Sequence, residues 1–284
     1  MNLTTLPTMS LQISIFLTVF AVGFTTQWHD VLYLLKKPGL LLKSVLSMNI
    51  IMPVVALIAA LSFHLNPAVV FTMIVFAVSP VPPMLPKKVV NAEGDNSYTI
   101  ALLVSAAVLS VVFAPLSMYL LGLCLGKHSV VQPSTIAQIV TTTILAPLFL
   151  GMIFRHFLPG FVERTSGIIS RTAPILMLAG LIPILISSIP GIISLMGNGT
   201  LIAFTGFVLA GLTAGHLLGG PEHHNRTVLA VSTILRHPGV AISIAGTNFP
   251  DKKLAIAAIM LYMVVNAIVS MPYIVWQRKR AGKG

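Results

Sequence analysis

Long apolar runs alternate along this chain with short clusters of Gly, Pro, Asn and charged residues, and no run shows strict polar/apolar alternation. The runs fall at 11–28, 38–61, 67–91, 95–122, 134–154, 165–190, 199–218, 226–248 and 254–277. Runs of about 20 apolar residues suit the thickness of a bilayer as helices, whereas barrel strands would read as shorter alternating segments. The pattern predicts an all-α integral membrane protein with nine transmembrane helices.

Composition agrees: of 284 residues, 56% are hydrophobic and only 8% charged, against about 25% charged in a soluble domain. Mean hydropathy is +0.96. The single cysteine, Cys124, excludes an intrachain disulfide and any Cys-based zinc cluster. Seventeen basic residues against six acidic ones give a net charge of +11. They are scattered between apolar runs rather than clustered with aromatics, so nucleic acid is not an expected partner. With the N-terminus outside, nine cations (Lys36, Lys37, Arg155, Arg164, Arg226, Arg278, Lys279, Arg280, Lys283) fall on the cytoplasmic side and three (Lys127, Lys252, Lys253) outside. This fits the positive-inside rule and places the basic tail, 278–284, in the cytoplasm against anionic lipids. The start MNLTTLPTMS has no basic n-region, so no cleavable signal peptide is expected. The location expected is the inner (plasma) membrane.

Two runs contain residues that a lipid-facing helix avoids. In the third, Ser79-Pro80-Val81-Pro82-Pro83-Met84-Leu85-Pro86-Lys87-Lys88 puts four prolines into seven residues ahead of two lysines. In the eighth, Leu235-Arg236-His237-Pro238-Gly239 sets a Pro-Gly pair beside a guanidinium. Proline removes a backbone donor and clashes with the preceding turn, so both segments predict helix–break–helix elements, with Pro80, Pro82, Pro83, Pro86, Pro238 and Gly239 as the breaks. Pro82 and Pro238 are 156 residues apart, Leu11 and Thr165 154, and Asp95 and Lys252 157. That near-constant offset predicts a duplication within one transmembrane domain, 1–284: a four-span unit at 11–122, an extra span at 134–154, and a second unit at 165–277. Five spans separate equivalents, an odd number, so the second unit is inverted. Paired broken helices in inverted repeats are the pattern of secondary transporters.

Three segments carry a resemblance. FAVSPVPPMLPKKVVNAEGDNSYTIALLVSAAVLSVVFAPL resembles the third-to-fourth span region of the bile acid:sodium symporter family, and RTVLAVSTILRHPGVAISIA resembles its second broken helix. LKKPGLLLKSVLSMNIIMP, with its Met52-Pro53 pair, resembles an early helix of that family. The resemblance implies organic-anion transport with sodium, a core domain of crossing broken helices, and a panel domain that moves against it. It also exposes departures. Where the family places a sodium-binding Ser-Asn pair, this chain has Leu85 and Pro86. Ser232 and Arg236 replace a Glu and a Gln, Met48 with neighbouring Asn49 replaces another Gln, and Thr99 stands at a Ser position. The family's sodium set is not assembled, so sodium is not expected as a bound cofactor on those ligands.

All six acidic residues lie at span ends or in loops, which disfavours a carboxylate proton relay and an aspartyl intramembrane protease. No GxSxG, Walker or dinucleotide motif is present, and no enzyme activity is expected. A cation at bilayer depth costs about 2.5–3.5 kcal/mol on insertion scales, so Arg236, with Lys87 or Lys88, is expected to act as a tethered positive charge that attracts a small organic anion. Ser79, Ser232, Thr233 and His237 complete the expected substrate set. Asn49, Thr99 and His237 are the candidates for ion coupling, His237 because an imidazole ordinarily titrates near neutrality. Two alternatives stay open: the lysines snorkel to the interface, and His237 is a packing residue. His216, Glu222, His223 and His224 match no metal motif and read as a cytoplasmic turn. The function expected is a secondary or facilitative transporter. The alternatives are a non-transporting receptor or scaffold of the same fold, or an intramembrane enzyme.

Overall fold

The computed structural model describes residues 5–82, 96–124, 133–248 and 251–281. Among them every regular element is a helix: α1 (Thr5–Thr25), α2 (Trp28–Val31), α3 (Pro38–Ser62), α4 (Pro67–Val78), α5 (Asn96–Cys124), α6 (133–157), α7 (Pro159–Leu195), α8 (Thr200–Leu218), α9 (His223–Ile234), α10 (Pro238–Asn248) and α11 (Lys252–Ala281). Six of these, α3, α5, α6, α7, α8 and α11, are long and apolar enough to cross a membrane. The apolar part of α1, Met9–Thr25, and the whole of α4 are shorter. The chain turns large apolar side chains outward, for example Ile175, Ile182, Ile186 and Ile193 along α7, as a lipid-facing surface requires.

Proline decides most of the helix boundaries. The third apolar run is not a helix to residue 91: α4 stops at Val78, and Ser79 is extended with ψ 148° because Pro80 excludes the helical region for its predecessor. At its start Asn66 Oδ1 accepts from the Ala68 N–H at 2.9 Å, with Pro67 at the first helical position. The eighth run begins earlier than 226, at His223, and divides into α9 and α10, with Leu235 extended and Pro238 opening α10. The sixth begins at Pro159 rather than 165 and continues for 37 residues through Pro174, Pro183 and Pro190. At 1.5 Å per residue that is about 55 Å, longer than the hydrocarbon core. Arg278, Lys279 and Arg280 form the last turn of α11, where cations complement the negative helix end.

Two helices widen into a π turn just ahead of a proline: Leu46–Ile51 before Pro53 in α3, and Thr141–Leu145 before Pro147 in α6. A proline four residues on offers no N–H and crowds the carbonyl it should pair with, so the backbone takes an extra residue into the turn. In the π register the Met48 carbonyl looks five residues ahead to Pro53, which has no hydrogen to give.

The interior falls into two clusters. The larger runs through α3, α4, α5 and α8 to α11, with Val140 and Ile144 of α6 and the end of α7 joining it, and Phe76, Phe204 and Phe207 packed around Tyr262. The smaller centres on Val19, Val104 and Leu148, with Ile15 and Val22 of α1 against it. α1 is tied to α7 by hydroxyl bonds, Ser10 Oγ to Leu176 O at 2.8 Å and Ser14 Oγ to Ala173 O at 2.6 Å. Asp30 pins α2 to the start of α5, accepting from Ser97 Oγ at 2.6 Å and from the Gln27 N–H at 2.9 Å.

Candidate functional site

The two breaks meet. The His237 N–H donates to Pro80 O at 2.8 Å, joining the extended exit of α4 to the α9–α10 junction across 157 residues of sequence. Arg236, in that junction, is only 5% exposed. Its guanidinium donates to three carbonyls on three segments: Nη2 to Met48 O at 2.7 Å, Nη1 to Ser79 O at 3.0 Å, and Nε to Thr233 O at 3.1 Å. Each acceptor is an orphan for a local reason. Met48 faces a proline in its π turn, and Ser79 and Thr233 lie at helix ends, where carbonyls lose their intrahelical partners. The Ile234 carbonyl accepts from Tyr262 OH at 3.2 Å and from Asn266 Nδ2 at 3.0 Å. Broken backbone at membrane depth is thus satisfied by protein groups.

The side chains expected around Arg236 are mostly committed to their own helices. Ser79 Oγ donates to Val75 O at 2.7 Å, Ser232 Oγ to Val228 O at 2.6 Å, and Thr233 Oγ1 to Leu229 O at 2.7 Å, with Ser47 Oγ 2.8 Å from Thr233 Oγ1. Asn49 lines a separate void of about 10 Å³ between α3 and α5, room for one water. Thr99 is buried on α5. Lys87, Lys88, Pro83 and Pro86 lie outside the described residues.

Beside the junction a cavity of about 630 Å³ opens between α1, α6 and α7 on one side and α10 and α11 on the other, within the range of small-molecule sites. Of the expected site residues, His237 and Gly239 line it, together with Gln12, Thr142, Thr143 and Ser187. Arg236 is not among its lining residues, so the guanidinium serves the backbone crossing rather than the cavity wall. His237 is buried and caps α10, its Nδ1 accepting from the Val240 N–H at 3.3 Å. Tyr262 was not singled out in the sequence. The available signal was its spacing of four from Asn266 inside an apolar run, which puts both on one helical face. The expected turn is shorter than 216–224: His216 lies in the last turn of α8, its Nδ1 2.9 Å from Tyr273 OH, His223 and His224 open α9, and Glu222 just before them accepts from Asn225.

The fold and the junction therefore define a multi-pass membrane protein built around interrupted helices, an arrangement that secondary transporters use. The chain belongs to the Sodium Bile acid symporter family, whose family model matches residues 12–195. The matched segment ends with α7, so Arg236 and the second break lie beyond it. No curated protein matches the chain.

Proposed function

We propose that the protein is a secondary transporter that carries an organic anion by alternating access, with α1 moving against the larger cluster across the 630 Å³ cavity. The observation that carries this reading is the meeting of the two helix breaks at the edge of that cavity. The chain then crosses the membrane nine times, counting α4 with its extended exit as one crossing and α9 with α10 as another. The pairs α1/α7, α3/α8, α4/α9–α10 and α5/α11 are the inverted repeats, and the N-terminus is outside.

Sodium does not fit the junction as arranged. Among the described residues the carbonyl oxygens that converge there, those of Met48, Ser79 and Thr233, already accept from Arg236, whose charge repels a metal cation. The guanidinium is a tethered cation, so the junction carries a positive charge without a metal ion, and its field favours an anionic solute in the neighbouring cavity. The test is uptake of radiolabelled organic acids into proteoliposomes in sodium, potassium and choline media of equal ionic strength. Equal rates in the three media are expected. Uptake only in sodium overturns the sodium-free reading, and uptake of no acid in any medium overturns the transporter itself.

A further inference from the structure

The ends of α8 and α11 and the start of α9 gather cations that no acid balances. Arg226, in the first turn of α9, is half-buried, and its Nε donates to Gly220 O at 2.6 Å. That bond spans the turn between α8 and α9 and holds the guanidinium with both Nη groups unbonded among the described residues. Arg280, in the last turn of α11, lies over the face of Trp276, 4.4 Å from the ring centroid. Neither arginine is ion-paired among the described residues. Glu222, four residues before Arg226, accepts from Asn225 Nδ2 instead and does not cap α9.

Two helices bring these cations to one place, for each arginine acts electrostatically on both the His216 and the His223 rings. Trp276 stands 5.7 Å from His216 and 5.8 Å from Tyr273, ring to ring. Like charges held together repel, so an uncompensated pair beside the positive end of a helix marks where an anion belongs, and guanidinium groups suit a phosphate. The surroundings say what carries it. Leu217 next to His216, and Ile268, Met271 and Val275 along α11, turn outward, a surface for hydrocarbon, and Trp276 stands where that surface meets the cations. Tryptophan and tyrosine favour the head-group level of a bilayer, and basic pockets between helices at that level take anionic head groups.

We propose that Arg226 and Arg280 bind the phosphate of one anionic phospholipid, whose acyl chains lie along the outward apolar face of α11. The lipid then ties the entry of α9, the first half of the second broken helix, to the end of α11. The site shares no residue with the wall of the 630 Å³ cavity, and the proposal rests on the placement in a membrane, not on the transporter reading.

The test is tryptophan fluorescence of the full chain in phosphatidylcholine vesicles. The chain has two tryptophans, so Trp28→Phe leaves Trp276 as a reporter inside the site, and phospholipids with brominated acyl chains quench it on contact. Brominated phosphatidylglycerol is expected to half-quench Trp276 at a mole fraction about tenfold lower than brominated phosphatidylcholine diluted into the same bilayer, a preference of about 1.4 kcal/mol. Arg226→Gln and Arg280→Gln are each expected to abolish it. Lys279→Gln removes the same charge one residue from Arg280 and is expected to keep the preference within about twofold. If Arg226→Gln, which loses the Gly220 bond, misfolds, Arg280→Gln decides, because that side chain is exposed. Inorganic phosphate and sn-glycerol 1-phosphate in the medium are expected to leave the quenching unchanged. Equal quenching by the two lipids, a preference that survives loss of either arginine in a folded variant, or one lost as fully in Lys279→Gln overturns the proposal. Relief of quenching by either soluble phosphate overturns the lipid as the carrier of the phosphate.

Discussion

At the scale of single residues, Arg236 holds the junction together. Three charge-assisted bonds to Met48, Ser79 and Thr233, each worth about 1.5–3 kcal/mol, exceed the insertion cost of about 2.5–3.5 kcal/mol for a cation in a membrane helix. Attraction between the junction and a solute is therefore secondary to its role as a clamp. Arg236→Met keeps the apolar stem and strands these carbonyls, each at about 1–3 kcal/mol. Its thermal unfolding in detergent is expected well below that of the native protein. Arg236→Lys recovers only part of the loss, because a lone ammonium cannot present the planar fork that reaches three segments at once. Native-like unfolding of both variants would remove the clamp. The sequence shows an arginine that needs compensation, but not what compensates it: two of its three acceptors, Met48 O and Ser79 O, are main-chain atoms more than 150 residues away.

At the scale of elements, α9 is held in place by how closely α8 approaches it. Gly211, Gly215 and Gly219 form a stripe one turn apart, and a Cβ on Gly215 or Gly219 would collide with the backbone of Ala230 or Arg226, while one on Gly211 would lie 2.7 Å from Ile234 Cγ2. Small residues at this spacing let membrane helices touch backbone to backbone. Gly215→Ala forces α9 away, an overpacking cost of about 1–3 kcal/mol that outweighs the gain in helix propensity of about 1 kcal/mol. Gly206→Ala, on the same helix but with nothing within 4 Å, has only the gain. A lowered unfolding temperature for the first and an equal or raised one for the second are expected, and the reverse order would sink the close-packing account. The breaks at Pro80 and Pro238 were legible because proline acts locally, and their constant offset hinted that they correspond. The run 165–190 already passes Pro174 and Pro183, as kinked helices do in membranes when neighbours satisfy the freed carbonyls, but its extension to Pro159–Leu195 was not legible. The glycine stripe carried a signal at four-residue spacing that can be read from sequence alone.

At the scale of the whole molecule, the cavity lies on the boundary across which the two clusters would move. α1 contributes Leu11, Gln12 and Ile15 from one side, and α10 contributes His237, Gly239 and Ile242 from the other. α1 packs into the smaller cluster and is bonded to α7, whose far end, Ile192 and Leu195, belongs to the larger cluster. A long helix anchored at both ends can act as the lever between two bodies, with the wall of the cavity as the sliding surface. If α1 and α10 separate and approach in each cycle, tying them together stops it. In a Cys124→Ser background, which removes the one native thiol, the pair Gln12→Cys and Ile242→Cys is bridged with a cleavable bifunctional thiol reagent. Flux in proteoliposomes is expected to stop on bridging and return on reduction, while each single-cysteine protein treated in the same way keeps most of its flux. Transport at the native rate by the bridged protein would mean that α1 and α10 keep their distance through the cycle, and the moving boundary would have to be sought elsewhere than at this cavity.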